Sequence, residues 1–149
     1  MKKPNRRLRT ALAIAAAAAA GSTVAQAQSG TAAAKPYREE WVFRIAYGHD
    51  GEWWKLFQKY QIAILDRERQ LGLVTDYLVQ KPRLHAANET RWDYRVIVTY
   101  PNYDASTHGE EIERQLFDGD EAEARGEQRR WELTVNHWDL PIEHVDPHS

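Results

Sequence analysis

The sequence predicts an α+β domain of the ferredoxin-like kind, βαββαβ, with a four-stranded antiparallel sheet and two helices on one face. Three observations carry this expectation. Apolar residues alternate with period two in Glu39 to Tyr47, Leu73 to Val79 and Trp92 to Tyr100, as half-buried strands require. Apolar residues recur at helical spacing in Trp53 to Leu71 and again beyond Pro101. The order that results, strand, helix, strand, strand, helix, strand, is the split βαβ pattern.

In the first strand, Trp41, Phe43, Ile45 and Tyr47 share one face, with Val42, Arg44 and Ala46 on the other. Gly48-His49-Asp50-Gly51 is a turn into the long helix. That helix carries Trp53, Phe57, Tyr60, Ile64 and Leu71 on one stripe, with Asp50 at the N-cap and Gly72 past its end. A second flank, Trp54, Ile62 and Leu65, turns away from the stripe and is free to meet the second helix or a partner chain.

The second strand sets Leu73, Thr75, Tyr77 and Val79 opposite Val74, Asp76 and Leu78. Lys81-Pro82 ends its pairing, and a polar loop from Arg83 to Arg91 holds His85. The third strand alternates most clearly, with Trp92, Tyr94, Val96, Val98 and Tyr100 on one face, and pairs with the second as a hairpin. Pro101 to Thr107 reads as a loop. The second helical region is broken at Asp118-Gly119-Asp120; its later piece puts Ala124, Trp131, Val135 and Trp138 on one stripe. Leu140 to Asp146 is a short last strand, in which Pro141 suits a sheet edge.

The chain has 149 residues, enough for one domain, expected over 37–149. Before it, a basic start (Lys2, Lys3, Arg6, Arg7, Arg9), an alanine run from Ala11 to Ala20 and the small-x-small site Ala25-Gln26-Ala27 predict a signal peptide over 1–27. An uncleaved anchoring helix is the alternative, but the apolar run is short for a bilayer. Residues 28–36 are small and alanine-rich, a disordered tether. The expected location is therefore periplasmic or secreted after cleavage near Ala27.

Cleavage leaves fifteen Lys and Arg against twenty-two acids, a net charge of −7. That balance opposes phosphate backbones and anionic lipid, so neither nucleic acid nor a membrane beyond export is an expected partner. The absence of cysteine excludes disulfides, thiolate metal sites and cysteine nucleophiles. An exported domain so built holds together by packing or by pairing with a second copy. No Gly-rich phosphate loop, Gly-x-Ser-x-Gly elbow or His-Glu-x-x-His is present, and no cofactor is implied.

If Trp41, Phe43, Val96 and Val98 face the helices, then Arg44, Asp76, Asp93, Arg95 and Thr99 share the bare face with Val42, Val74, Leu78 and Ile97. These charges are candidate catalytic residues: arginines hold an anionic or carbonyl group and an aspartate acts as base. Cross-strand ion pairs or a solvated face are the alternative, and the commoner use of such charges. His85 and His108 lie on loops, as surface residues, general bases or axial haem ligands. His137, Asp139 and His144 crowd the C-terminus as weak metal candidates, since spacing alone does not make them converge. The abundant Trp and Tyr argue first for core and interface, though some suit stacking on a planar ligand.

The run Trp41-Val42-Phe43-Arg44-Ile45, the aromatic helix Trp53-Trp54-Lys55-Leu56-Phe57 and the segment Arg91-Trp92-Asp93-Tyr94-Arg95-Val96 resemble the dimeric α+β-barrel proteins. Their resemblance implies two bare sheets stacked face to face in a homodimer, with room for a small-molecule ligand. That group includes cofactor-free monooxygenases, stress-responsive barrels, NIPSNAP-like proteins and haem-using relatives. The resemblance is closest to uncharacterised exported members, and it transfers no catalytic residue. The expected function is small-molecule binding, with a cofactor-independent monooxygenase or isomerase acting on a small aromatic or carbonyl compound as the alternative, and a haem-binding barrel third.

Overall fold

The computed structural model describes residues 35–84 and 87–148. The expected signal peptide, His85 and all of the expected tether except Lys35 and Pro36 lie outside the described residues. The chain runs β1 (Tyr37–Ile45), α1 (Asp50–Lys59), α2 (Gln61–Gln70), β2 (Asp76–Gln80), a 3₁₀ turn (Asn88–Thr90), β3 (Tyr94–Tyr100), α3 (Tyr103–Ser106), α4 (Gly109–Phe117), α5 (Glu121–Glu132) and β4 (Thr134–Ile142). The sheet has the order β2-β3-β1-β4, antiparallel throughout. This is the expected ferredoxin-like α+β arrangement, as an open sheet.

Strand register decides which side is covered. Trp41 lies opposite Val96 and Phe43 opposite Tyr94, and these rows face the helices. Phe43, Ile45, Val96 and Val98 meet Trp53, Phe57 and Leu65 in one core, each 2% exposed or less. Each such large side chain removed from water contributes about 1.5–3 kcal/mol. Aromatic rings set the geometry at the centre: Trp53 stacks on Phe57 at 4.8 Å and on Tyr94 at 4.9 Å. Trp53 also donates from Nε1 to Thr134 Oγ1 at 2.9 Å, tying α1 to the start of β4.

Several expected elements differ in detail. The long helix is divided at Tyr60 (φ −110°, ψ −63°) into α1 and α2. His49 is its N-cap, and Asp50 stands instead in the first turn, where a carboxylate suits the helix dipole. Leu71 is not on the buried stripe; it caps α2 and is 46% exposed. The helix closes around Gly72 (φ +76°), with Gly72 N–H donating to Arg69 O and Leu73 N–H to Glu68 O, the paired bonds of a Schellman ending. The flank of Trp54, Ile62 and Leu65 packs inward on the core, because a broad sheet accepts an arc wider than one stripe.

β2 is shorter than expected. Val74 precedes it and turns into the core, 2% exposed, rather than onto the bare face. Trp92, Asp93 and Tyr47 fall outside the strands, and Tyr47 is 76% exposed. The loop after Pro101 contains one helical turn, α3, capped by the Asn102 side chain accepting from Ala105 N–H at 2.9 Å. The break at Gly119 (φ +74°) is as expected, and Asp120 caps α5. α5 stops at Glu132, however, and Val135 and Trp138, expected on a helix, belong to β4. Pairing with β1 places Trp138 opposite Val42, while Val135 falls at the register shift between Thr134 and Asn136. Pro141 lies on this edge strand, where no inward N–H is needed. Of the expected α5 stripe, Ala124 and Trp131 are exposed; the buried residues are Gly126 and Arg130.

Candidate functional site

The bare face carries most of the charges singled out in the sequence, but does not bring them together. Arg95 Nε lies 3.0 Å from Glu40 Oε1 in an ion pair, and its guanidinium stands over the Trp92 ring at 4.7 Å. Arg44 Nη2 donates to Asn88 Oδ1 at 2.5 Å. The Nε groups of both arginines are buried without an aligned hydrogen-bond acceptor. Asp76 is exposed at the β2 edge opposite Thr99. Asp93 is off this face: it accepts from Ile45 N–H at 2.7 Å and from Arg91 Nε and Nη2 at 3.0 and 2.8 Å, locking the start of β3 to the end of β1.

The histidines also separate. His108 is the N-cap of α4, with Nδ1 3.0 Å from Asp104 O, a contact that requires Nδ1 to carry its proton. His144 lies beyond β4 and lines a shallow hollow of about 620 Å³ with Lys35, Tyr37 and Pro141. His137 and Asp139 are brought together: two apart on β4, they share its helix-facing side, with Nε2 2.9 Å from Oδ1. Among the described residues no three His, Asp or Glu side chains converge as a metal site.

His137 and Asp139 open onto a second place, a cavity of about 260 Å³ between the sheet and α2, α4 and α5. The register puts His137 beside Phe43 and Asp139 beside Trp41. The His137 and Phe43 rings stack at 4.4 Å, and Trp131 meets His137 edge-on at 5.0 Å. Tyr100 adds a further aromatic wall.

The opposite wall holds two charged residues that are each 3% exposed, Glu68 and Arg130. Glu68 is carried inward because it stands four residues after Ile64 and three after Leu65, both buried. Its Oε1 lies against Gly109, where a side chain would begin 3.6 Å away. No hydrogen bond or ion pair to its carboxyl is formed among the described residues. Burial, then the charge of Glu39, push its pKa up to about 7, with His108 acting weakly the other way. Arg130 is better matched. Its Nε donates to Glu127 Oε1 at 2.9 Å, its Nη2 meets the other Glu127 oxygen, and it stands over Trp131 at 4.7 Å. Glu39 accepts from Trp41 Nε1 at 3.1 Å. Burial and the charges of Glu39 and Glu68 hold the Tyr100 phenol well above its ordinary range.

Neither Glu68 nor Arg130 was singled out in the sequence. The signal for Glu68 is an acid four residues after Ile64 of the stripe and three after Leu65 of the flank, on the line joining Ile64 to Leu71. Arg130 falls one turn beyond Gly126, a buried position without a side chain, and nothing in the pattern marks it. Together with His137 and Asp139 they make a half-open site with aromatic walls and a carboxyl that changes charge near neutral pH, fit for holding a small molecule or moving a proton.

No family model matches the chain, and no curated protein does. Solved structures do. A dimeric ferredoxin-like protein from an uncultured marine organism is 8% identical over 74% of this chain and 92% of its own, with a TM-score of 0.53. A protein of Pseudomonas aeruginosa is 12% identical over 76% and 98%, with a TM-score of 0.52. SnoaB, a cofactor-independent oxygenase from Streptomyces nogalater, is 13% identical over 76% and 99%, with a TM-score of 0.49. By its strand order, its one-sided helical layer and its likeness to the first two of these structures, the chain has the ferredoxin-like α+β fold to which the dimeric α+β-barrel proteins belong.

Proposed function

We propose that this chain is an exported, homodimeric α+β-barrel protein that binds a small organic molecule in the cavity between its sheet and its helices. The observation that carries the reading is Glu68, a carboxyl buried in the cavity wall without a hydrogen-bond or ion-pair partner among the described residues. Folding gains nothing from it, since an apolar side chain would fill the same position without desolvating a carboxyl. A ligand gives it a use. The volume of about 260 Å³ falls just below the usual range for small-molecule sites, and suits a compound smaller than haem.

Pairing is supported by the bare face. Leu78, Trp138 and Leu140 are 50%, 37% and 45% exposed there, a patch of the sort that finds a partner. The neighbour of marine origin is described as dimeric. Export rests on the basic, alanine-rich start of the chain.

A second reading, a cofactor-independent isomerase or monooxygenase, draws support from the titration of Glu68 at about 7, since an acid–base group works best near the ambient pH. In that reading Glu68 and the His137–Asp139 pair do the work, and Arg44, Asp76 and Asp93 lie elsewhere. The test is native mass spectrometry on protein recovered from the periplasm, followed by titration of the emptied protein with small aromatic compounds. A retained small molecule, or saturable quenching of Trp41 and Trp131 fluorescence, is expected. A protein that saturates with none of them overturns the binding reading. Loss of solvent-deuterium exchange into an enolisable ketone on Glu68→Gln substitution separates catalysis from binding alone.

A further inference from the structure

The charge on the cavity walls identifies what it takes. Four carboxyls reach the cavity from four elements: Glu39 from β1, Glu68 from α2, Glu113 from α4 and Asp139 from β4. One cationic side chain opposes them, Arg130 from α5, with His137 from β4 as a second only when it is protonated, and both are already engaged. Arg130 is bound to Glu127, and His137 to Asp139 at 2.9 Å. Glu39 takes a hydrogen bond from Trp41 but pairs with no cation among the described residues. Glu68, 3% exposed, has neither among the described residues. The surplus in the cavity is therefore negative, and the aromatic rings around it present π-faces that attract cations.

We propose that the cavity binds an organic ammonium ion, with Glu68 as its counter-charge and the Trp41 ring against its body. This deepens the binding reading above and rests on it. An anion would need a free cation on the wall, and the Arg130 guanidinium is taken by Glu127 inside the same helix. A neutral compound would leave the buried carboxyl uncompensated. An ammonium ion satisfies Glu68 and lessens its repulsion by Glu39.

Binding is then linked to protons. The groups that face Glu68 are Glu39 and Tyr100 from the central strands, His137 and Asp139 from β4, His108 and Glu113 from the start and middle of α4, and Arg130 from α5. Burial and Glu39 keep Glu68 half-protonated near pH 7, and the arriving ammonium displaces that proton. Affinity rises with pH through this range and levels off above it.

The experiment titrates the full-length protein with 2-phenylethylamine, 2-phenylethanol and phenylacetate, at pH 8 and pH 6, by calorimetry. The amine is expected to bind about tenfold or more tightly than the alcohol, with phenylacetate weakest. Its affinity should fall about tenfold from pH 8 to pH 6, as protonation of Glu68 competes. Glu68→Gln, which keeps the shape and removes the charge, should erase both differences and isolates Glu68 from the His137–Asp139 pair. The wild-type pH comparison holds whether or not that variant folds. Equal or tighter binding of phenylacetate or the alcohol, or a flat pH response of the amine, overturns the ammonium assignment and leaves the cavity as a binding site. Saturation by none of the three compounds overturns both.

Discussion

Gly126 of α5 lies so close to the ring of Tyr60 that a methyl group there would come within 2.9 Å of the phenol oxygen and nearer still to a ring carbon. The ring has no freedom to retreat, because Tyr60 Oη donates to Ala122 O at 2.9 Å. Tyr60 is also the point at which α1 turns into α2. The contact therefore joins the helical bend to α5, and it sets the distance between the two helices that close the cavity.

Gly126→Ala should destabilise the fold by about 1–3 kcal/mol through overpacking, although alanine is the better helix former. Gly51→Ala in α1 meets nothing within 4 Å, so there the propensity gain of about 0.5–1 kcal/mol should survive. Urea unfolding midpoints of the two variants should move in opposite directions. A neutral Gly126→Ala would mean that α5 packs elsewhere.

Phe57 and Leu71 share one helical stripe in the sequence but are not equivalent in the fold. Phe57 is 0% exposed and stacked on Trp53, so Phe57→Ala should cost about 3–5 kcal/mol. Leu71 is 46% exposed at the end of α2, and Leu71→Ala should cost less than about 0.5 kcal/mol. Equilibrium unfolding compares the pair directly.

The alternation of Trp41 to Ile45 and of Tyr94 to Tyr100 was legible because a half-buried strand writes its two faces into every second residue. Those two central strands, with the helical stripe from Trp53 to Ile64, carry enough of the pattern to name the fold. The edge of the sheet was not legible in the same way. Trp131, Val135 and Trp138 fit a helical spacing, and only pairing of β4 with β1 makes the last two strand residues. The site was harder still. A buried acid such as Glu68 looks like the polar side of a helix when read alone, and its inward position emerges only from Ile64 and Leu65 on either side of it. The bare-face charges were conspicuous because they sit in strands, yet Asp93 proved to be a backbone clamp on Ile45.

Glu68 should make stability depend on pH. Its pKa is raised from the ordinary 4.5 to about 7 in the folded protein. The folded state thus holds its proton over a range in which the unfolded chain has lost it, and stability falls as pH rises from about 4.5 to about 7. The loss from this group is about 3 kcal/mol once complete, an order-of-magnitude figure for a residue 3% exposed. Glu68→Gln should remove that slope, and above pH 7 the variant should be the more stable protein. Thermal unfolding between pH 5 and pH 8 checks this; parallel curves for variant and wild type would place the Glu68 carboxyl in water.

Association should depend on the bare face and not on the helices. Trp54, whose flank invited an interface, stacks on Tyr94 at 5.0 Å and on Phe57 at 5.8 Å. Trp54→Ala should therefore lower stability and leave association unchanged. Leu78 and Leu140 stand at opposite edges of the exposed sheet face, and a paired copy would cover both. The double substitution Leu78→Lys and Leu140→Lys sets unpaired ammonium groups within that contact, where desolvation without a partner is costly. Sedimentation equilibrium should show a wild-type dimer at micromolar concentration and a double variant dissociating at least about tenfold more readily. Since both positions are half-exposed in a single copy, far-ultraviolet dichroism of the variant should stay native, which separates a lost interface from a lost fold. A wild-type protein that sediments as a monomer would leave the sheet face bare and remove the barrel.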